Sequence, residues 1–310
     1  MSEENHNTCY LEGNKEGVQM KYKIKNQSLE VEITTRGAEL QSIKDKKGTE
    51  YLWQGDEAFW KGQALNLFPY IGRFTDGSYI YEGKRYQMRK HGFLCEQELS
   101  AEQLSEEQLR FTLKANADTR QCYPFDFCYH IEYKLVDKML QITTIVQNEG
   151  DKKMYFGIGG HPGFNIPLEG KGEFEDYYLE FPVETRPIRV GHTDTGYRNG
   201  EDREFSLRDG KYIDLRHDLF DHDAIVLREM PKEVIIKGTK SERTITVCYP
   251  QMTYLGIWHA VKKEAPYVCI EPWTSLPSHI GVVEDLAKQE DLLVLSSGEV
   301  YENSWSIEIQ

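Results

Sequence analysis

The chain has 310 residues, 39% of them hydrophobic and 28% charged, which suits one large all-β domain or two ordinary ones. Lysine and arginine number 37 against 51 aspartates and glutamates, a formal net charge of −14. That acidic excess opposes nucleic acid and anionic membrane surfaces as partners, and it favours solubility.

The N-terminal segment Met1 to Lys15 is polar and lacks the apolar run and small-residue cleavage site of a secretory signal. No stretch reaches the roughly 18 apolar residues that a bilayer-spanning helix needs. The six cysteines, Cys9, Cys95, Cys122, Cys128, Cys248 and Cys269, form no close CxxC pair. They read as reduced thiols of a cytoplasmic protein.

Period-2 alternation dominates from there on. In Ser28–Thr35, Leu29, Val31 and Ile33 point one way, while Glu30, Glu32 and Thr34 point the other. Tyr79–Met88 is predicted as a hairpin around Glu82-Gly83. In Gln108–Lys114, Leu109, Phe111 and Leu113 alternate with polar residues, and Phe127–Leu135 repeats the pattern. Strands with one buried and one wet face belong to antiparallel sheets. Turn signals recur at short intervals, and the clearest helix candidate is short, about Val283 to Gln289. No Pro/Ser-rich linker, repeat or low-complexity segment divides the chain. The expected architecture is a single all-β domain over residues 1–310, a large antiparallel β-sandwich.

Four segments break the alternation with Gly, Pro and chemically capable side chains: Asn66–Gly77, Lys90–Phe93, Gly157–Asn165 and Cys269–Pro277. Such stretches resemble pre-organised site loops more than strand interiors. Within them, Arg73 has an ordinary alternative as a structural ion-pair partner, and His91 and His161 as satisfied structural histidines. Glu271 follows the apolar run Tyr267–Ile270, where an unpartnered carboxylate is costly to bury. Trp273 is a candidate to stack on a sugar face, whereas Trp258 reads as core. The other histidines lack metal-ligand spacing, and no GxGxxG, P-loop or GxSxG element is present. Dinucleotide, nucleoside triphosphate and serine-hydrolase chemistries therefore lose their usual support.

Taken in order, the GRF, HGF, GGHPGFN and CIEPW blocks resemble the aldose 1-epimerase (galactose mutarotase) family, over nearly the whole chain. The nearest match is a divergent branch that borders the hexose-6-phosphate 1-epimerases. The resemblance implies a β-supersandwich with an open sugar cleft, general acid–base ring opening and neither metal nor organic cofactor. It implies Glu271 as base, His161 as acid, and Arg73 and His91 as sugar contacts. A sugar-holding aspartate falls in the Phe220–Leu227 block, where Asp223, directly before Ala-Ile-Val-Leu, is preferred to Asp221. Typical members carry HGG and NRI where this chain has HGF and GRF, a departure that touches the substrate more than the chemistry. The expected partner is a small-molecule sugar. Two rival readings remain. A phosphorylated hexose would need a basic cluster, for which Arg85, Arg89 and Lys90 are candidates. A sugar-binding protein without chemistry would not need an opposed acid and base.

Overall fold

The computed structural model describes residues 19–310. Two antiparallel sheets dominate it. The nine-stranded sheet runs Tyr212–Asp214, Tyr177–Glu180, Glu233–Gly238, Ile245–Cys248, Val300–Ile309, Met139–Asn148, Phe127–Val136, Gln108–Lys114 and Ser100–Ser105. The seven-stranded sheet runs Arg203–Glu204, Ile188–Arg189, Ile225–Arg228, Tyr254–Trp258, Tyr267–Trp273, Gly159–Asn165 and Ala64–Leu67. A three-stranded sheet, Lys21–Lys25, Leu29–Thr34 and Leu40–Asp45, and two hairpin-sized sheets complete the fold. This is the expected antiparallel sandwich.

The alternation read from the sequence sets which faces are buried. Leu109, Phe111 and Leu113 are buried on one face of their strand, and Ile131, Tyr133 and Leu135 on the neighbouring one. The ladder pairs Leu109 with Tyr133 and Phe111 with Ile131, so apolar side chains meet across it. The Tyr79 hairpin forms as expected, with strands Ser78–Tyr81 and Lys84–Gln87 joined at Glu82-Gly83. Thr34 departs from its expected wet position and is buried. Its hydroxyl reaches the Met20 carbonyl at 3.4 Å, which meets its polar requirement without water.

The expected helix near Val283 to Gln289 is instead a single 3-10 turn, Leu286–Lys288. The Ile80 N–H takes the Glu284 carbonyl at 2.8 Å and Asp285 bridges to Ile80, so the hairpin claims the backbone that a helix would need. The one α-helix among the described residues, Ala117–Cys122, lies elsewhere. Asn116 caps it, its side chain accepting from the N–H groups of Asp118 and Thr119.

The site-bearing strand Tyr267–Trp273 is buried on both faces. Val268 and Ile270 point into the main core between the sheets. Tyr267, Cys269, Glu271 and Trp273 alternate onto the opposite face, where Tyr267 and Cys269 join one small apolar cluster and Trp273 another. Its neighbour Gly159–Asn165 passes very close to surrounding side chains. A Cβ on Gly160 would lie 2.6 Å from the Trp305 ring, and one on Gly159 would lie 2.7 Å from Trp273. Glycine is required there because bulky aromatics approach the backbone from both sides.

Candidate active site

The two central strands set the site. Their register pairs Gly159 with Trp273 and Gly163 with Cys269, which brackets His161 against Glu271. His161 and Glu271 are thus strand-interior residues, not loop residues, which corrects the expectation drawn from their glycines and prolines. His161 Nε2 lies 3.2 Å from Glu271 Oε2, with both side chains nearly fully buried.

Burial decides the charge of this pair. It raises the Glu271 carboxyl well above its ordinary value, with Lys90 opposing and Asp223 reinforcing the rise. It lowers the His161 imidazole to about 3, and the Lys90 charge pushes the same way. Mutual attraction does not keep both groups ionised, because desolvation outweighs it. The contact joins a neutral carboxyl and a neutral imidazole, with Glu271 Oε2 within reach of His161 Nε2.

Above the pair opens a cleft of about 320 Å³, lined in part by Lys90, His91, His161, Asp223 and Glu271. His91 has φ +66, and its N–H donates to the Gly72 carbonyl at 2.6 Å. The Gly72 N–H donates back to His91 Nδ1 at 3.2 Å. That bond makes Nδ1 an acceptor, so Nε2 carries the proton. Burial, with Lys90 adding to it, lowers the His91 pKa well below its ordinary value and keeps the ring neutral. Asp223 sits at φ +68, its N–H donating to Phe220 at 3.2 Å. Asp221 is not among the residues lining the cleft.

Arg73 lies at the margin. Its neighbour Gly72 lines the cleft, its guanidinium stands 5.7 Å from the Tyr197 ring centre, and its buried Nε has no partner. The suggested basic cluster separates. Arg85 pairs with Asp76 at 3.3 Å and Arg89 pairs with Glu96, whereas Lys90 alone of the three lines the cleft.

Sequence reasoning missed three lining residues. Trp60 stacks on the His161 ring at 4.8 Å with 28° between planes, and no motif surrounds it. Trp258, expected in the core, lines the cleft edge-on to His161 at 5.6 Å. It also packs against the cluster of Trp53, Tyr267 and Cys269, which is what its apolar strand suggested. His192 donates from Nδ1 to the Val190 carbonyl at 3.0 Å, leaving a buried Nε2 lone pair without a partner. The Trp273 indole N–H is likewise buried and unpartnered at the cleft wall.

Among the described residues one donor set could hold a metal ion: His161, Cys269 and Glu271 offer ligand atoms within 4.8 Å of one another. Burial, with Glu271 adding to it, raises the Cys269 thiol well above its ordinary value and disfavours the thiolate that ligation needs. Among the described residues the cysteines Cys95, Cys122, Cys128, Cys248 and Cys269 are all free thiols, and Cys9 lies outside those residues.

A two-sheet antiparallel sandwich with a buried His–Glu pair under an open cleft defines the class, and sequence comparison then supplies the family. The Aldose 1-epimerase family profile matches residues 20–308, and the chain belongs to that family. It is 35% identical over 289 residues to the plasmid-encoded protein LacX of Lactococcus lactis subsp. lactis, covering 90% of this chain and 96% of that one. Among solved structures, a galactose mutarotase related enzyme from Lactobacillus acidophilus superposes with a TM-score of 0.90 at 31% identity, covering 94% of this chain and 97% of that one. A galactose mutarotase-like protein from Lactobacillus casei gives 0.88 at 31% identity, covering 94% and 100%.

Proposed function

We propose that the protein is an aldose 1-epimerase that interconverts the α and β anomers of an aldose by acid–base ring opening. The observation that carries this reading is the buried His161–Glu271 contact of 3.2 Å at the cleft floor. A pair holding one mobile proton is what the reaction requires, since one proton leaves the C1 hydroxyl as another reaches the ring oxygen.

The sugar enters the cleft and its anomeric centre separates the two groups. With the shared proton on His161, Glu271 is the carboxylate base that accepts the O1 proton, and the His161 imidazolium protonates the ring oxygen as the C1–O5 bond breaks. The open-chain aldehyde rotates about C1–C2. Closure on the other face returns a proton to O1 from Glu271 and takes one from O5 to His161. Nothing is oxidised or transferred to another molecule. The neutral His91 donates from Nε2 to a sugar oxygen, Asp223 accepts from ring hydroxyls, and Arg73 steadies the substrate from the margin. Trp60 holds the His161 ring plane by stacking.

Exchange spectroscopy by NMR over a panel of aldoses tests the proposal. Acceleration of anomer exchange for at least one sugar is the expected result. Saturable sugar binding without acceleration would replace it with the sugar-binding reading.

A further inference from the structure

The chain carries a formal charge of −14, yet two cations at or next to the cleft have no ion-pair partner among the described residues. Most nearby cations are engaged: Arg85 with Asp76, Arg89 with Glu96, and Arg198 with Asp291 at 3.9 Å. Lys90 and Arg73 are the exceptions, with no carboxylate within 4.0 Å of either among the described residues. The two repel each other, and the charge of each disfavours protonation of His91. Lys90 is solvent-accessible, and the surrounding protein still lowers its ammonium pKa, with Asp223 opposing. The buried Arg73 Nε–H is an unpartnered donor. Glu271, the deepest acid of the cleft, is held neutral by burial, which leaves Asp223 as the counter-charge on the wall.

Two cations that repel each other, with no ion-pair partner of their own among the described residues, cost free energy, and an anion bound near them relieves that cost. A neutral sugar cannot do so. We propose that the Lys90–Arg73 end of the cleft recognises an anionic substituent, so that the substrate is an aldose carrying a phosphate or a carboxylate group. This rests on the aldose 1-epimerase reading and narrows its substrate class. A lysine and an arginine suit the task in complementary ways. The ammonium is a mobile point charge, and the guanidinium supplies directed N–H donors to oxygens in one plane. The alternative is that Lys90 merely balances Asp223, in which case it serves every sugar equally.

The experiment compares glucose, glucose 6-phosphate and glucuronic acid, with the matching galactose series, as substrates of anomer exchange by NMR. Wild type and Lys90→Gln are measured at low and at physiological ionic strength. The expected result is a kcat/KM at least about ten-fold higher for one charged member than for its neutral parent, an advantage that shrinks with salt. Lys90→Gln should bring the charged and neutral values together. The 6-phosphate and uronate arms decide which anion is read. Equal or faster turnover of the neutral sugars, or an equal loss for all three in Lys90→Gln, overturns the inference and leaves the epimerase reading standing. If no sugar is accelerated, the epimerase reading fails. Calorimetric titration with glucose 6-phosphate and glucuronic acid then tests the charge preference directly, and binding no tighter than glucose rejects it.

Discussion

Replacing Glu271 by Gln removes the proton-accepting carboxyl while preserving shape. The side chain is 2% exposed and its partner lies 3.2 Å away, so a glutamine amide occupies the same space and can donate to His161 Nε2. The pair then cannot cycle a proton. Loss of one acid–base partner typically costs about 10²–10⁴-fold, or about 3–5 kcal/mol at roughly 1.4 kcal/mol per decade. The buried carboxyl is already held neutral, so exchanging it for a neutral amide should shift the thermal midpoint by only about 2–4 °C. The assay is NMR anomer exchange on the best substrate of wild type, with calorimetric sugar binding measured in parallel. We expect kcat to fall at least about 100-fold with Kd changed less than about three-fold. An undiminished kcat in a folded, sugar-binding Glu271→Gln protein would refute the assignment of the base.

Three further outcomes follow. Gly92 has φ +73, and a Cβ there would lie 2.1 Å from the Phe68 carbonyl oxygen, so Gly92→Ala should lose about 2–4 kcal/mol and melt roughly 5–10 °C lower; an unchanged melting curve would show that the turn can relax. His161 is neutral in the folded chain down to about 3 but takes a proton near 6.5 when unfolded, so it removes stability as pH falls through that window, at up to about 1.4 kcal/mol per pH unit. Chemical denaturation across that range should show a shallower acid limb in His161→Gln than in wild type, and parallel limbs would contradict the buried neutral imidazole. Because the proposed chemistry moves only protons, EDTA should leave the exchange rate unchanged; a loss restored by a divalent ion would point instead to the His161, Cys269 and Glu271 donor set.

Much of this molecule was legible because antiparallel strands write their burial into alternate residues. Leu109, Phe111 and Leu113 gave their strand and its inner face directly. The residues now grouped at the cleft, His91, His161, Asp223 and Glu271, were marked by unusual neighbours: a glycine, a proline or an apolar run beside a polar side chain. The same neighbours misled on local structure. Gly159, Gly160 and Pro272 suggested loops, whereas they are strand residues whose small or rigid form admits the crowding of Trp273 and Trp305. Trp60 and His192 left no local signal, because their roles depend on residues about a hundred or thirty positions away. The helix expected near Val283 failed because a distant hairpin competes for its backbone.

The placement of His161 and Glu271 within paired strands divides the protein into a fixed frame and adjustable tooling. The distance between His161 and Glu271 is set by a ladder in which Gly159 meets Trp273 and Gly163 meets Cys269, so it cannot change without shifting a central register. Arg73, Lys90 and Asp223 stand instead on turns outside the named strands, free of that ladder. On the proposed reading, substitutions at those turns change what the cleft accepts while the spacing of His161 and Glu271 stays where it is. Engineering of substrate preference in this scaffold should therefore begin at residues 73, 90 and 223 and leave the two strands beneath them untouched.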